Sequence, residues 1–151
     1  MRDGRPSFMD LALAEAARAG LAGEVPVGAV VVGPDGAVLA QAGNRTEADR
    51  DPTAHAEILA LRQAAARRGS PRLGDCDLYV TLEPCAMCAA AISFARIRRL
   101  YYGADDAKGG AVAHGPRFFA QATCHHRPEV YAGIAEAAAA KLLRDFFGSR
   151  R

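Results

Sequence analysis

The chain has 151 residues, 50% of them hydrophobic and 24% charged. That is enough apolar surface for one packed core and too much for a disordered tail, so a single domain over 1–151 is expected. No apolar run approaches the roughly 18 residues of a membrane span, and no signal-peptide core follows Met1-Arg2-Asp3-Gly4-Arg5-Pro6, so no membrane association and a cytoplasmic location are expected; the formal charge of +2 is too small to draw in nucleic acid by itself.

In chain order, Ser7-Phe8-Met9-Asp10 resembles a capping box. Phe8, Leu11, Ala12 and Ala16 then recur at helical spacing, so a first helix is expected, ending near Gly20. Val25 to Val32 is a β-branched, nearly continuous apolar run. Gly33-Pro34-Asp35-Gly36 is a turn, and Ala37 to Ala42 completes a hairpin of two strands. Asp51-Pro52-Thr53 supplies helix-start chemistry, so a second helix is expected to begin beside His55 and to run to Arg68, stopped by Gly69. Asp77 to Leu82 has strand composition. Pro84 is expected to open a third helix through Cys85, Cys88, Ile92 and Ala95, followed by a strand from Arg98 to Gly103. The segment from Ala104 to Pro128 has little periodicity and is expected to be mostly loop with one helical turn; Ala135 to Phe147 is a final helix. Strands alternating with helices predict an α/β sheet covered by helices.

Two of these helix starts carry chemistry. His55-Ala56-Glu57 and Pro84-Cys85-Ala86-Met87-Cys88 together bring one imidazole, two thiols and one carboxylate. Catalytic zinc keeps three protein ligands and one open position for water, and His55, Cys85 and Cys88 make such a set. Residues three apart on a helix share a face, so both sulfurs can reach one ion. The helix N-terminus also favours the thiolate, the form that binds metal. Glu57 is the residue type that moves protons at a zinc-activated water. A Cys-x-x-Cys pair alone also fits redox chemistry or half of a structural zinc site, whose fourth ligand could come from Cys124, His125 or His126. Cys76, between Asp75 and Asp77, is most simply a small residue before a strand.

His-x-Glu followed by Pro-Cys-x-x-Cys is the pattern of zinc nucleobase deaminases. With Val25-Pro26-Val27-Gly28-Ala29-Val30, Gly43-Asn44-Arg45, Asp51-Pro52-Thr53-Ala54-His55-Ala56-Glu57-Ile58, Val80-Thr81-Leu82-Glu83-Pro84-Cys85 and Asp106-Ala107-Lys108, the chain resembles the bacterial tRNA-specific adenosine deaminases nearly end to end. The resemblance implies a three-layer cytidine-deaminase-like α/β fold with a mixed five-stranded sheet flanked by helices, one zinc ion per chain, and a homodimer. It implies hydrolytic deamination of adenosine to inosine at the wobble position of a tRNA anticodon stem-loop, with Glu57 as proton shuttle.

By the same resemblance Asn44 and Ala56 match contacts to the flipped nucleotide, Asp106 a contact near the anticodon backbone, and Phe147 and Arg151 C-terminal RNA contacts. Asn44 is also suited to a left-handed turn and Asp106 to capping a loop. Phe146 and Phe147 cannot face the same way, so one is expected in the core and the other free to stack on a base. Gly43 stands where some relatives carry tryptophan, Gly148-Ser149 replaces a more basic pair, and the segment from Gly109 to Arg127 matches poorly.

Two other functions use these residues. A deaminase of free bases or nucleosides, such as guanine or cytosine, would keep His55, Glu57, Cys85 and Cys88 and differ outside them. A zinc-stabilised RNA-binding module would have no use for Glu57 beside an open site. Phe147 flanked by Arg144, Arg150 and Arg151 favours the tRNA substrate over a free base, although such a tail equally fits a solvated helix end.

Overall fold

The computed structural model of the chain describes residues 7–150. Helix α1 (Phe8–Leu21) starts on a full capping box: Asp10 N–H donates to Ser7 Oγ and Ser7 N–H to Asp10 Oδ2, each at 3.1 Å. Strand β1 (Gly28–Val32) is shorter than its apolar run, because Pro26 has no N–H for a ladder and Val27 N–H turns back to Val25 O at 2.8 Å. The turn closes with Gly33 N–H on Ala37 O, and β2 (Val38–Gly43) returns antiparallel to β1.

Helix α2 (Ala56–Arg68), strand β3 (Asp77–Leu82), helix α3 (Ala86–Phe94) and strand β4 (Arg99–Ala104) follow as expected in order and type. Gly69 ends α2 with φ +67°, where its lack of a Cβ removes the left-handed penalty. Strand β5 (Glu129–Tyr131), invisible in the residue pattern, completes the sheet. All three of its residues are exposed, so it carries no inward-outward alternation. A single 3₁₀ turn at Phe118–Ala120 breaks the preceding loop, and α4 (Glu136–Gly148) ends the described chain.

The strand order is β2-β1-β3-β4-β5, with β1 antiparallel to β2 and β3 and with β3, β4 and β5 parallel. Alternation along the strands makes two cores. Ala29, Val31, Leu78, Val80, Leu100 and Tyr102 pack on the side of α2, and Val30 and Val32 pack with Met9 and Ala12 of α1. The chain is therefore a three-layer α/β fold, with α1 and α4 on one face of the sheet and α2 and α3 on the other. Burying each such valine or leucine stabilises the fold by about 1.5–3 kcal/mol. A Cβ on Gly28 would stand 1.9 Å from Ala12 O and one on Gly43 2.8 Å from Glu15 O, so α1 lies directly on these strands. Among the described residues no helix is long and apolar enough to cross a membrane.

Candidate metal centre and active site

Two helix starts from the same face of the sheet converge. His55 precedes α2 and Cys85 precedes α3, both in extended conformation, and neither spends its side chain on capping its own helix. Helix α3 thus begins one residue after Cys85, not at Pro84, and Cys88 lies in its first turn. Both Sγ atoms stand 3.6 Å from His55 Nδ1. A sulfur about 2.3 Å and a nitrogen about 2.0–2.1 Å from one zinc ion, at the tetrahedral angle, are themselves about 3.6 Å apart. The three side chains therefore already hold the spacing of a tetrahedral metal site, with all ligand atoms within 4.8 Å of one another.

The electrostatics favour a cation. The Cys88 thiol donates to Cys85, and with His55 alongside it brings the Cys85 thiol down to about 4, against the opposing effect of burial. Cys88 is pushed strongly up, first by sharing its proton with Cys85 and then by burial. His55 is raised, chiefly by its bond to Cys85. Glu57, 4% exposed on the first turn of α2, is pushed up to about 7 by burial. A carboxyl poised there can both take and return a proton at neutral pH.

Other residues place this group. Asn44, at the end of β2, accepts Ala56 N–H through Oδ1 at 2.7 Å, supplying the cap that His55 does not. Asn44 is absent from the left-handed residues. Asp51 accepts from Thr53 N–H and Oγ1 at 2.8 and 2.7 Å, so it closes the turn before α2 and does not cap the helix. Buried Glu24 receives Glu47 N–H and Ala48 N–H at 3.1 and 2.8 Å and holds the loop that follows Asn44.

Glu83, overlooked in the sequence reading, is 2% exposed immediately before Pro84-Cys85. Its Oε1 accepts Asp106 N–H and His114 Nδ1, and its Oε2 accepts the N–H groups of Val112, Ala113 and His114, all within 3.1 Å. Burial raises this carboxyl, but the donors led by Asp106 N–H outweigh it and leave it below the usual carboxylate range. A signal was present in the sequence: an acidic residue between Leu82 and Pro84 at the end of a buried strand has no solvated side to turn to.

The remaining expected residues are spread more widely. Ala56 is buried and its N–H is taken by Asn44. Asp106 caps its loop by accepting Lys108 N–H and Gly109 N–H. Phe147 is 51% exposed on α4, across the sheet from α2 and α3, whose starts carry the candidate metal ligands. Phe146 is not in the core: it is half-buried, edge-on to Phe147, with the Arg150 guanidinium 4.1 Å above its ring. Arg151 lies outside the described residues. Cys124 joins Ser93 and His126 O, and His126 joins Ile97 O, so neither gives the metal group a fourth ligand; His125 is exposed. Cys76 is buried beside Asp75 and Arg68.

Residues 4–104 match the family described as the cytidine and deoxycytidylate deaminase zinc-binding region. The chain is similar to the tRNA-specific adenosine deaminase of Agrobacterium fabrum, at 62% identity over 147 residues, covering 97% of this chain and 96% of that one. It is similar to a solved structure from a study of A-to-I editing by tRNA:A34 deaminases at the wobble position of transfer RNA, with 63% identity and a TM-score of 0.88 over 90% of this chain and 98% of that one. A guanine deaminase structure from Bacillus subtilis is similar at 32% identity and a TM-score of 0.65, covering 99% of this chain and 94% of that one.

Proposed function

The chain belongs to the tRNA-specific adenosine deaminases of the cytidine and deoxycytidylate deaminase family, and from that premise we propose that it hydrolyses adenosine to inosine at the wobble position of a tRNA anticodon. The observation that carries the chemistry is the tetrahedral spacing of His55, Cys85 and Cys88 beside a buried Glu57. These three side chains would hold one zinc ion per chain. When bound, zinc lowers the pKa of a water toward neutrality and so supplies the nucleophile.

Glu57 performs the proton work. Its carboxylate takes a proton from the attacking water as the oxygen bonds to C6 and passes it to N1, where the C6=N1 double bond opens; it then carries the remaining hydroxyl proton to the amino group, so the C6–N bond breaks, ammonia leaves and the ring keeps the oxygen and the N1–H of inosine. Burial suits Glu57 to this exchange, because it brings the acid and base forms close in energy at neutral pH. Asn44 holds the start of α2, and so the placement of His55 and Glu57, through Ala56 N–H. The base must reach this site flipped from its stack, which leaves neighbouring nucleotides to supply binding energy. Asp106, Phe147 and Arg151 are proposed for that contact.

A homodimer is part of the proposal. Phe94, 76% exposed at the end of α3, borders an apolar groove with Ile58 and Leu61 of α2, a surface suited to a second copy of the chain.

Zinc-loaded protein is to be incubated with total tRNA and separately with free adenosine, guanine and cytidine, assaying inosine and released ammonia. Inosine in tRNA with little turnover of the free compounds is expected. Ammonia from guanine or cytidine with unchanged tRNA would replace this substrate with a free base.

A further inference from the structure

The segment after β4 is fastened to the metal-ligand turn by an unusual density of bonds. Glu83 collects donors from Asp106, Val112, Ala113 and His114. The next residue, Pro84, accepts Ala111 N–H at 2.8 Å. Gly110 crosses so close that a Cβ there would stand 2.5 Å from the Glu83 carboxyl. Thus the loop from Asp105 to His114 lies against the two residues preceding Cys85. Asp105, Ala107, Lys108, Gly109 and Ala113 of this loop remain exposed.

Glu83, Asp105 and His114 also bring potential metal-ligand atoms within 4.8 Å of one another. A second ion does not fit the chemistry, because both Glu83 oxygens already accept from protein donors. Most of those donors are backbone groups. His114 is different: its Nδ1 meets Glu83 Oε1 at 2.7 Å, and it is the side chain among the described residues that closes the loop onto this carboxylate.

We propose that His114 is a positioning residue for substrate, latching the loop from Asp105 to His114 onto Glu83 so that the anticodon stem-loop meets a preformed rim beside the metal ligands. The physical reason is ordering entropy. A loop held before binding does not have to be ordered at the expense of affinity when RNA arrives. Without the side-chain bond the loop would keep its backbone donors to Glu83, but its exposed residues would sample more arrangements. The His114 side chain bonds to Glu83 and is not one of the candidate metal ligands, and the inference rests on the tRNA deaminase reading above.

The test is steady-state kinetics of the zinc-loaded protein on an anticodon stem-loop, comparing wild type, His114→Ala and His114→Asn. Losing one hydrogen bond to a charged group is worth about ten- to a hundredfold, so His114→Ala should raise KM within that range with kcat and zinc content unchanged. Amide exchange at Val112 and Ala113 should quicken while the rest of the protein stays protected. Asn carries an N–H at the branch position of His Nδ1, so His114→Asn should restore KM. If wild type deaminates the stem-loop and His114→Ala leaves KM unchanged, lowers kcat instead, or is not rescued by Asn, the latch is overturned alone. Wild type that turns over a free base but not the stem-loop overturns the substrate reading and this proposal with it.

Discussion

Asn44 Oδ1, at the end of β2, accepts the backbone N–H of Ala56 at 2.7 Å, so the first turn of α2 is capped by a residue from another element. His55, a candidate metal ligand, is thereby spared the capping task that serine, asparagine or aspartate would perform there. Asn44→Ala should cost roughly 0.5–2 kcal/mol of stability, the usual penalty for a lost cap. Asn44→Asp keeps the accepting oxygen but loses the amide donor, so it should retain stability while weakening any donation to the base. Thermal unfolding of the two variants checks this; equal destabilisation by both would show that the oxygen is not what matters.

Cys88 is buried and lies 3.6 Å from His55 Nδ1. Cys88→Ala should leave only two ligands and lose zinc, measurable by metal analysis of the purified protein. Zinc at the wild-type level would remove Cys88 from the ligand set.

Glu57→Gln preserves the side chain's volume and should leave zinc content and thermal stability nearly unchanged. Turnover of tRNA should fall by about 10² to 10⁴, the range for a lost general acid/base. Near-normal deamination would assign the proton transfers to another group.

Phe147 is half exposed on α4, near Arg144 and Arg150. Phe147→Ala should weaken stem-loop binding by about 1–3 kcal/mol, the value of one base stacked on an aromatic ring. Its salt dependence should stay unchanged, because phosphate contacts set that slope. Binding isotherms at several salt concentrations provide the measurement, and an unaltered affinity would leave Phe147 as a solvated helix residue.

Burial pushes Tyr79 and Tyr102 up to about 12, against about 10 for an ordinary phenol. Folding therefore favours their neutral forms. The stability linked to them is complete below about pH 10 and is lost as pH rises toward 12. These two tyrosines should ionise late, together with loss of structure. Phenolate absorbance and circular dichroism recorded in one titration would show this; a single step for all tyrosines near 10 in the intact fold would contradict it.

Local chemistry determined much of this protein. The Ser7 and Asp10 capping box, the turn at Gly33 to Gly36 and the β-branched run of β1 each act within a few residues, so their elements could be inferred in order and type. His55, Glu57, Cys85 and Cys88 were legible for a related reason: two short motifs at helix starts limit where their side chains can go. Tertiary structure decided what local pattern could not. Strand β5 is three exposed residues whose pairing depends on β4 being in place. Asn44 caps a helix twelve residues away, and Glu83 gathers donors from a loop more than twenty residues downstream. Such contacts form only when distant segments meet and must satisfy one another's buried polar groups, a requirement that no periodicity along the chain records.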